Sequence, residues 1–129
     1  MKRKTCNVIP ILILISFILL GYYSYHYATT SPYLVSGSKA KELLKNKQID
    51  VVLDVRTDME RSTLGFYPGS VHIQSADLAQ RMTAQFPNKE TRILAYCNTG
   101  HRAKMAVNKL RELGYKNVFY IATTYKSLA

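Results

Sequence analysis

Hydrophobic residues along the chain are arranged first as one long run and then as several short runs. The long run extends from Val8 to Leu20 and is interrupted by only one proline and one serine. Gly21 and the tyrosines after it extend this run to about 20 residues, the length that an α-helix needs to cross a bilayer. The pattern therefore predicts one N-terminal helix of transmembrane type, followed by a short linker over residues 29–38.

Beyond the linker the apolar runs are short and alternate between strand and helix patterns. Four of them have the length of strands: 51–55, 71–73, 93–96 and 118–121. Apolar residues spaced three and four apart predict helices at 40–46, 77–86 and 103–113. Residues 57–69, with turn residues at Gly65 and Pro68-Gly69, are predicted to form a loop. Strands that alternate with helices predict an α/β fold, with a central, mostly parallel sheet covered by helices on both faces.

One polar stretch between a predicted strand and a predicted helix contains a cysteine: Tyr96-Cys97-Asn98-Thr99-Gly100-His101-Arg102. The backbone N–H groups of such a loop, with a helix N-terminus behind them, form a cradle for negative charge. A helix N-terminus and a nearby Arg also favour the thiolate form of a cysteine. We therefore predict that Cys97 is an anionic nucleophile, bound by the loop residues Asn98, Thr99, Gly100, His101 and Arg102.

A pair of opposite charges stands at the carboxyl end of the predicted strand 51–55. Ligands of parallel sheets bind beyond the carboxyl ends of the strands, so Asp54 and Arg56 are expected at the same edge as Cys97. We predict that they pair with neighbouring groups and support this corner structurally. Glu60 is expected to be a surface or loop-bracing carboxylate, and the His101 side chain is expected to face solvent.

The charge of the chain is strongly positive, with a formal value of +10 over 129 residues. From Ser31 onward, 15 Lys and Arg residues stand against 8 Asp and Glu residues, a net charge of +7. This surplus favours anionic ligands or an anionic membrane surface, although scattered lysines on solvated helix faces are the simpler explanation. We see no nucleic-acid motif, metal-ligand cluster or nucleotide-phosphate motif, so neither nucleic acid, metal nor cofactor is predicted.

The basic residues before the long apolar run predict its orientation. Lys2-Arg3-Lys4 should stay in the cytoplasm, which sends the rest of the chain across the membrane. Because His26-Tyr27-Ala28 is a poor cleavage site, we favour an uncleaved anchor, with a removed signal peptide as the alternative. Residues 1–30 are thus predicted to be the membrane segment and residues 31–129 a single domain. Cys6 precedes the apolar run, so the predicted domain has one thiol and no internal disulfide.

Three blocks of residues resemble the rhodanese (sulfurtransferase) family. Leu53-Asp54-Val55-Arg56, then Glu60 and the segment Gly65 to Ile73, resemble that family's opening block. Tyr96 to Arg102 is similar to its active-site loop, and Leu113-Gly114-Tyr115-Lys116-Asn117-Val118 is similar to its closing block. The likeness extends from about Ser36 to the C-terminus. With the exported single-domain layout, it is closest to the small periplasmic phage-shock rhodaneses.

This resemblance implies a rhodanese-like three-layer α/β fold and a two-step transfer of sulfane sulfur. Cys97 would take sulfur from a small anionic donor such as thiosulfate, become a persulfide, and pass the sulfur to cyanide or a thiol. Arg102 could hold a sulfonate-like oxygen in its planar fork. The implied location is the bacterial inner membrane, single-pass with the C-terminal domain in the periplasm, or the periplasm itself if the segment is cleaved.

The chain departs from the family pattern at two places. Phe66 stands where the family commonly has His, and Thr123-Thr124 stands where a Gly-Gly pair usually follows the last strand. Thr does not tolerate the positive φ and close backbone approach that Gly allows, so the pocket wall is expected to be reshaped.

Two other functions are compatible with the same residues. One is a non-catalytic persulfide- or partner-binding module anchored to the membrane, which the Thr123-Thr124 replacement favours. The other is a phosphatase or arsenate reductase of related fold, whose chemistry needs a longer loop than the four residues between Cys97 and Arg102. The sequence identifies neither the physiological donor and acceptor nor the oligomeric state.

Overall fold

A computed structural model describes residues 7–129 of the chain. The helices are α1 (Ile9–Thr29), α2 (Gly37–Lys45), α3 (Asp58–Leu64), α4 (Leu78–Gln85) and α5 (His101–Glu112). The strands are β1 (Val51–Asp54), β2 (Val71–His72), β3 (Ile93–Tyr96) and β4 (Val118–Tyr120). Single 3₁₀ turns lie at Ser75–Asp77 and Tyr125–Leu128. Lys2-Arg3-Lys4 and Cys6, on which the predicted orientation and the cysteine argument depend, lie outside the described residues.

The sheet is parallel throughout, with the strand order β2-β1-β3-β4. Four residues of β1 pair in register with four of β3, from Val51 opposite Ile93 to Asp54 opposite Tyr96. This pairing brings the end of β1 beside the end of β3. The residues that follow the two strands therefore meet at one edge of the sheet, as the sequence predicted.

Side chains of the central strands alternate between two separate cores. Val51, Leu53, Ile93 and Ala95 face a core completed by α4 and α5, through residues such as Leu78, Met82, Val107 and Leu110. Val52, Leu94 and Tyr96 face a second core, which Ala40 of α2 and Leu128 of the last 3₁₀ turn complete. Burial on both faces explains why these strands are continuous apolar runs. The predicted three-layer α/β fold is confirmed.

The segment predicted as a loop between Thr57 and Gly69 contains a helix, α3, so that prediction is wrong for residues 58–64. Thr57 is its N-cap: the Thr57 side chain accepts from the Glu60 N–H, and the Glu60 carboxylate accepts from the Thr57 N–H. This reciprocal arrangement is a capping box, which starts a short helix. The spacing Thr-x-x-Glu is visible in the sequence. The segment has no helical repeat of apolar residues, however, because α3 buries none of its residues, and the helix was therefore not predicted.

Helix α1 has 21 residues, and it is long and apolar enough to cross a membrane, with a mean hydropathy of 1.7. A signal sequence has the same properties. Its apolar side chains from Ile9 to Leu20 are exposed. Its last residues do contact the domain, because Ala28 is buried.

Candidate active site

The loop that carries Cys97 joins β3 to α5 in four residues. The Gly100 N–H donates to the Cys97 Sγ, with the two atoms 3.0 Å apart. Gly100 has φ +97°, and a Cβ there would lie 2.7 Å from the Ala122 Cα, so glycine is required for both conformation and space. The loop thus folds tightly over the sulfur and packs against the segment that follows β4.

Cys97 itself is only 1% exposed and belongs to the larger of the two cores. Within residues 7–129, the backbone amide that donates to its sulfur is that of Gly100. The sulfur therefore has one of the predicted amide contacts and lies closed off from solvent.

Arg102, predicted to hold a substrate oxygen, is paired with Glu60. Its Nη1 and Nη2 atoms donate to the two Glu60 oxygens, each at 2.7 Å. These bonds, together with those from Thr57, lower the pKa of Glu60 to about 2. Glu60 also accepts from the Asn98 Nδ2 at 2.9 Å. Of the two roles that the sequence allowed for Glu60, a surface or a loop-bracing carboxylate, the structure shows the second. Glu60 holds Asn98, near the start of the cysteine loop, and Arg102, just after its end.

Asp54 and Arg56 form the predicted charged pair, and both are buried, with 0% and 1% exposure. Arg56 Nε and Nη2 donate to the two Asp54 oxygens at 2.9 and 2.8 Å. Burial alone would raise the pKa of Asp54, but hydrogen bonds from Arg56 and from the Tyr96 hydroxyl outweigh it and lower that pKa.

Arg56 also connects this corner to its surroundings. It donates to the Gly65 carbonyl at 2.6 Å and to the Asn98 Oδ1 at 3.4 Å. The buried pair therefore positions the cysteine loop from the β1 side, the structural role that the sequence indicated.

The His101 side chain is half-buried against α1, so it faces solvent only in part. Its ring packs on the Tyr27 ring with 4.8 Å between centroids, and its Nδ1 lies 3.0 Å from the Ser24 Oγ. Thr99, next to it, is exposed and borders a cavity of about 240 Å³ together with Ser24 and Tyr25. Both α1 residues that touch His101 lie far from it in sequence, and no local pattern could have predicted the contact.

A second cleft, of about 350 Å³, lies on the other side of the loop. Its lining is formed by Arg56, Leu64, Asn98, Thr124, Tyr125 and Lys126. Thr124, one of the two residues that replace the glycines of the family pattern, thus forms part of the wall beside the loop. Within residues 7–129, no group of three or more His, Cys, Asp or Glu side chains is placed to hold a metal ion.

A family model for the rhodanese-like domain matches residues 36–128, which include every strand and the whole Cys97 loop. The chain belongs to the rhodanese-like domain family. Helix α1 precedes the part that matches. No curated protein matches this chain.

Solved structures of the same fold include proteins from bacteria and from humans. The human single-domain sulfurtransferase TSTD1 is 24% identical, with a TM-score of 0.62 over 75% of this chain and 95% of its own. The rhodanese-like domain of an Anabaena protein is 23% identical, with a TM-score of 0.63 over 76% and 74% of the two chains. A Rhodopseudomonas palustris protein of unknown function, described as a possible tyrosine phosphatase, is 23% identical and gives 0.68 over 81% and 85%.

The rhodanese-like fold is therefore established, while the roles of individual loop residues stay predictions. The structure brings Asp54, Arg56, Asn98 and Arg102 together around the cysteine loop. Glu60 links Asn98 to Arg102, and Asn98 in turn contacts Arg56. The Thr-x-x-Glu spacing could have indicated that Glu60 begins a helix. Its partner Arg102, 42 residues away, could not have been found without the register of β1 and β3.

Proposed function

We propose that this chain is a sulfurtransferase that moves sulfane sulfur through a persulfide on Cys97. Membership of the rhodanese-like domain family supports sulfur transfer as the general activity. The observation that carries the proposal is the position of Cys97 at the carboxyl end of β3, in a tight loop with the Gly100 N–H on its sulfur. A cysteine held between a strand and a helix N-terminus, close to Arg102, has the surroundings of a reactive thiolate.

The proposed reaction has two steps. The Cys97 thiolate attacks the outer sulfur of thiosulfate or a similar donor, the S–S bond of the donor breaks, and its electron pair leaves on sulfite. A cyanide ion or a thiolate then attacks the outer sulfur of the persulfide. The Cys97–sulfur bond breaks, and the pair returns to Cys97 as a thiolate.

The other loop residues are proposed to bind and orient the charged groups. The amides of Asn98, Thr99, Gly100, His101 and Arg102 would stabilise the negative charge that remains on sulfur throughout the cycle. Arg102 can hold a donor oxygen only if it shares or exchanges its contact with Glu60, because both arms of its fork bond to that carboxylate. Asp54 and Arg56 act as positioning residues. The net charge of +7 on the chain from Ser31 onward favours anionic donors.

We further propose that α1 anchors the domain to the bacterial inner membrane, single-pass with the domain in the periplasm. The apolar surface of α1 and the preceding Lys2-Arg3-Lys4 sequence support this location. If the segment is cleaved, the domain is released into the periplasm.

A non-catalytic persulfide- or partner-binding module is the second candidate. Two observations favour it: the 1% exposure of Cys97, and the presence of Thr124 in the cleft wall beside the loop. A phosphatase or arsenate reductase is the least favoured function. The four residues between Cys97 and Arg102 form a smaller cradle than a tetrahedral oxyanion needs, so we expect no hydrolysis of an aryl phosphate.

The decisive experiment replaces each cysteine in the full chain. With thiosulfate, we expect mass spectrometry to show one added sulfur atom on the Cys97 peptide, and we expect thiocyanate to form when cyanide follows. Cys97→Ser should abolish both signals, whereas Cys6→Ser, the same substitution at the other cysteine, should retain them. A Cys97→Ser protein that still forms thiocyanate would overturn the mechanism. A wild-type chain without added sulfur would favour the binding module.

A further inference from the structure

The C-terminal end of α1 lies directly on the loop that carries Cys97. The Ser24 Oγ and the His101 Nδ1 are 3.0 Å apart, and the Tyr27 and His101 rings are in contact at 4.8 Å between centroids. His101 is the first residue of α5 and directly follows Gly100, the last residue of the loop. The helix end and the loop therefore share an interface of side chains rather than meeting at one point.

Helix α5 holds the end of α1 in this position. Lys104 Nζ donates to the carbonyls of Tyr27 and Thr30, at 2.8 and 2.9 Å, and lies 3.9 Å from the centre of the Tyr27 ring. The Asn108 Nδ2 donates to the Tyr27 hydroxyl at 3.4 Å. Because the last carbonyls of a helix have no partner within it, a lysine that binds two of them is a specific anchor.

The end of α1 also packs against the residue whose N–H binds the Cys97 sulfur. Ala28 is only 2% exposed, and its Cβ lies 3.5 Å from the position that a Cβ on Gly100 would occupy. Gly100 is the residue whose N–H donates to the Cys97 Sγ. From the other side, the Tyr120 hydroxyl donates to the Ala28 carbonyl, and Tyr120 belongs to the same buried cluster as Cys97. Ala28 is therefore packed between the cysteine loop and β4.

We propose that residues 24–30, which we name the covering segment, are an autoinhibitory contact. In the closed state they keep solutes from Cys97, and the site opens when the end of α1 moves away from α5. This inference goes beyond the proposed sulfur transfer and does not depend on it, because access to a thiol can be measured without turnover. Since α1 is one continuous helix, a displacement of its apolar part is transmitted to the covering segment.

The test measures the rate at which iodoacetamide alkylates Cys97 in the full chain, followed by mass spectrometry of the Cys97 peptide. Lys104→Met removes both bonds to the Tyr27 and Thr30 carbonyls without adding bulk. Loss of two charge-assisted bonds should raise the population of the open state, and hence the alkylation rate, on the order of tenfold. Wild-type Cys97 should react much more slowly than the same peptide in the urea-unfolded chain.

Lys109→Met is the matched control, since it makes the same change on the same helix. Lys109 is exposed, and its side chain bonds to Glu112 at 3.3 Å rather than to the carbonyls of α1, so its replacement should leave the alkylation rate unchanged. The proposal is overturned if Lys104→Met reacts no faster than Lys109→Met, or if wild-type Cys97 reacts as fast as in the unfolded chain.

A second variant keeps the test valid if Lys104→Met fails to fold. Ser24→Ala removes the hydroxyl that contacts His101 and leaves every residue of the sheet and its cores unchanged. It should raise the alkylation rate severalfold, and an unchanged rate in a folded Ser24→Ala protein would overturn the proposal. If the variants are alkylated faster but the wild-type chain forms no persulfide, the autoinhibitory contact is supported and the proposed sulfur transfer is contradicted.

Discussion

Single charged residues around the cysteine loop act through the contacts that the sheet imposes on them. Glu60 is the clearest case, because it caps α3, accepts two bonds from Arg102 and one from Asn98. The chain has a comparable pair at the opposite edge of the sheet, where Asp50 binds Arg92 at 2.7 Å. Both carboxylates have a pKa lowered to about 2 by hydrogen bonds from their arginines. Substitutions in the two pairs can therefore be compared, to distinguish a change in activity from a change in the stability of the fold.

Glu60→Gln should lower both stability and activity. Because the folded-state pKa of Glu60 is about 2 and its ordinary value is 4.5, its contribution to the free energy of unfolding is complete above about pH 4.5 and is lost as the pH falls towards 2. The variant should lack this part of the acid dependence. It should also lower kcat/KM for thiosulfate by about tenfold, equivalent to about 1.4 kcal/mol of lost loop positioning.

Asp50→Asn is the control for that measurement. It should flatten the acid dependence of urea unfolding in the same way, because the pKa of Asp50 is also lowered to about 2. It should leave kcat/KM unchanged, since Asp50 precedes β1 and lies at the amino end of the strands. Equal losses of activity in the two variants would show that Glu60 acts through overall stability alone.

At the scale of elements, the junction between β3 and α5 depends on a close approach between two chain segments. Gly100, whose N–H donates to the Cys97 sulfur, also lies against Ala122, in the segment after β4. The order of the strands, with β4 next to β3, brings that segment there. One glycine therefore links the conformation of the loop to the assembly of the sheet.

Gly100→Ala should destabilise the protein more than the same change at Gly69. Both glycines have positive φ, so each substitution is expected to cost about 1–2 kcal/mol in backbone strain. Only at Gly100 does the new Cβ also collide with backbone, 2.7 Å from the Ala122 Cα, whereas nothing lies within 4 Å of it at Gly69. Urea unfolding should therefore give at least twice the loss of stability for Gly100→Ala. Similar losses at both positions would mean that the loop can move away from Ala122.

At the scale of the whole molecule, the C-terminal end of α1 lies beside the loop that carries Cys97. Ser24, which contacts His101, is four residues beyond Leu20, the last residue of the apolar run. At 1.5 Å per residue this is about 6 Å along the helix. If α1 spans a bilayer, the loop must lie close to the membrane surface, where tyrosines such as Tyr22 and Tyr25 are commonly found.

A depth measurement in lipid nanodiscs tests this placement. A fluorophore on Thr99→Cys should be quenched strongly by brominated lipids, because Thr99 lies beside Ser24 and Tyr25. The same fluorophore on Asn88→Cys, exposed in the connection between α4 and β3 at the other end of the sheet, should be quenched weakly. A background with both Cys6→Ser and Cys97→Ser leaves the introduced cysteine as the one thiol to label. Equal quenching at the two positions would contradict a site at the membrane surface.

Local patterns were sufficient to predict the elements that are buried or strongly amphipathic. Apolar runs predicted β1, β3 and β4, and the alternation Val71-His72-Ile73 predicted β2. The spacing from Ala103 to Leu113 predicted α5, because a helix that buries one face repeats its apolar residues every three or four positions. Helix α3 was missed because it buries none of its residues and is held by a capping box alone. The family resemblance was also visible in the sequence, because each of its motifs is a contiguous stretch of residues.

By itself, the sequence determined the α/β class, the parallel sheet and the end of the sheet at which Asp54, Arg56 and Cys97 lie. Only the tertiary structure decided that Arg102 bonds to Glu60, that His101 packs under Tyr27, and that Cys97 is covered rather than open. The physical reason is the range of the interactions. Hydrophobic periodicity is local, whereas these contacts join residues 42 or more positions apart, and their geometry follows from strand register and the packing of α1 on α5.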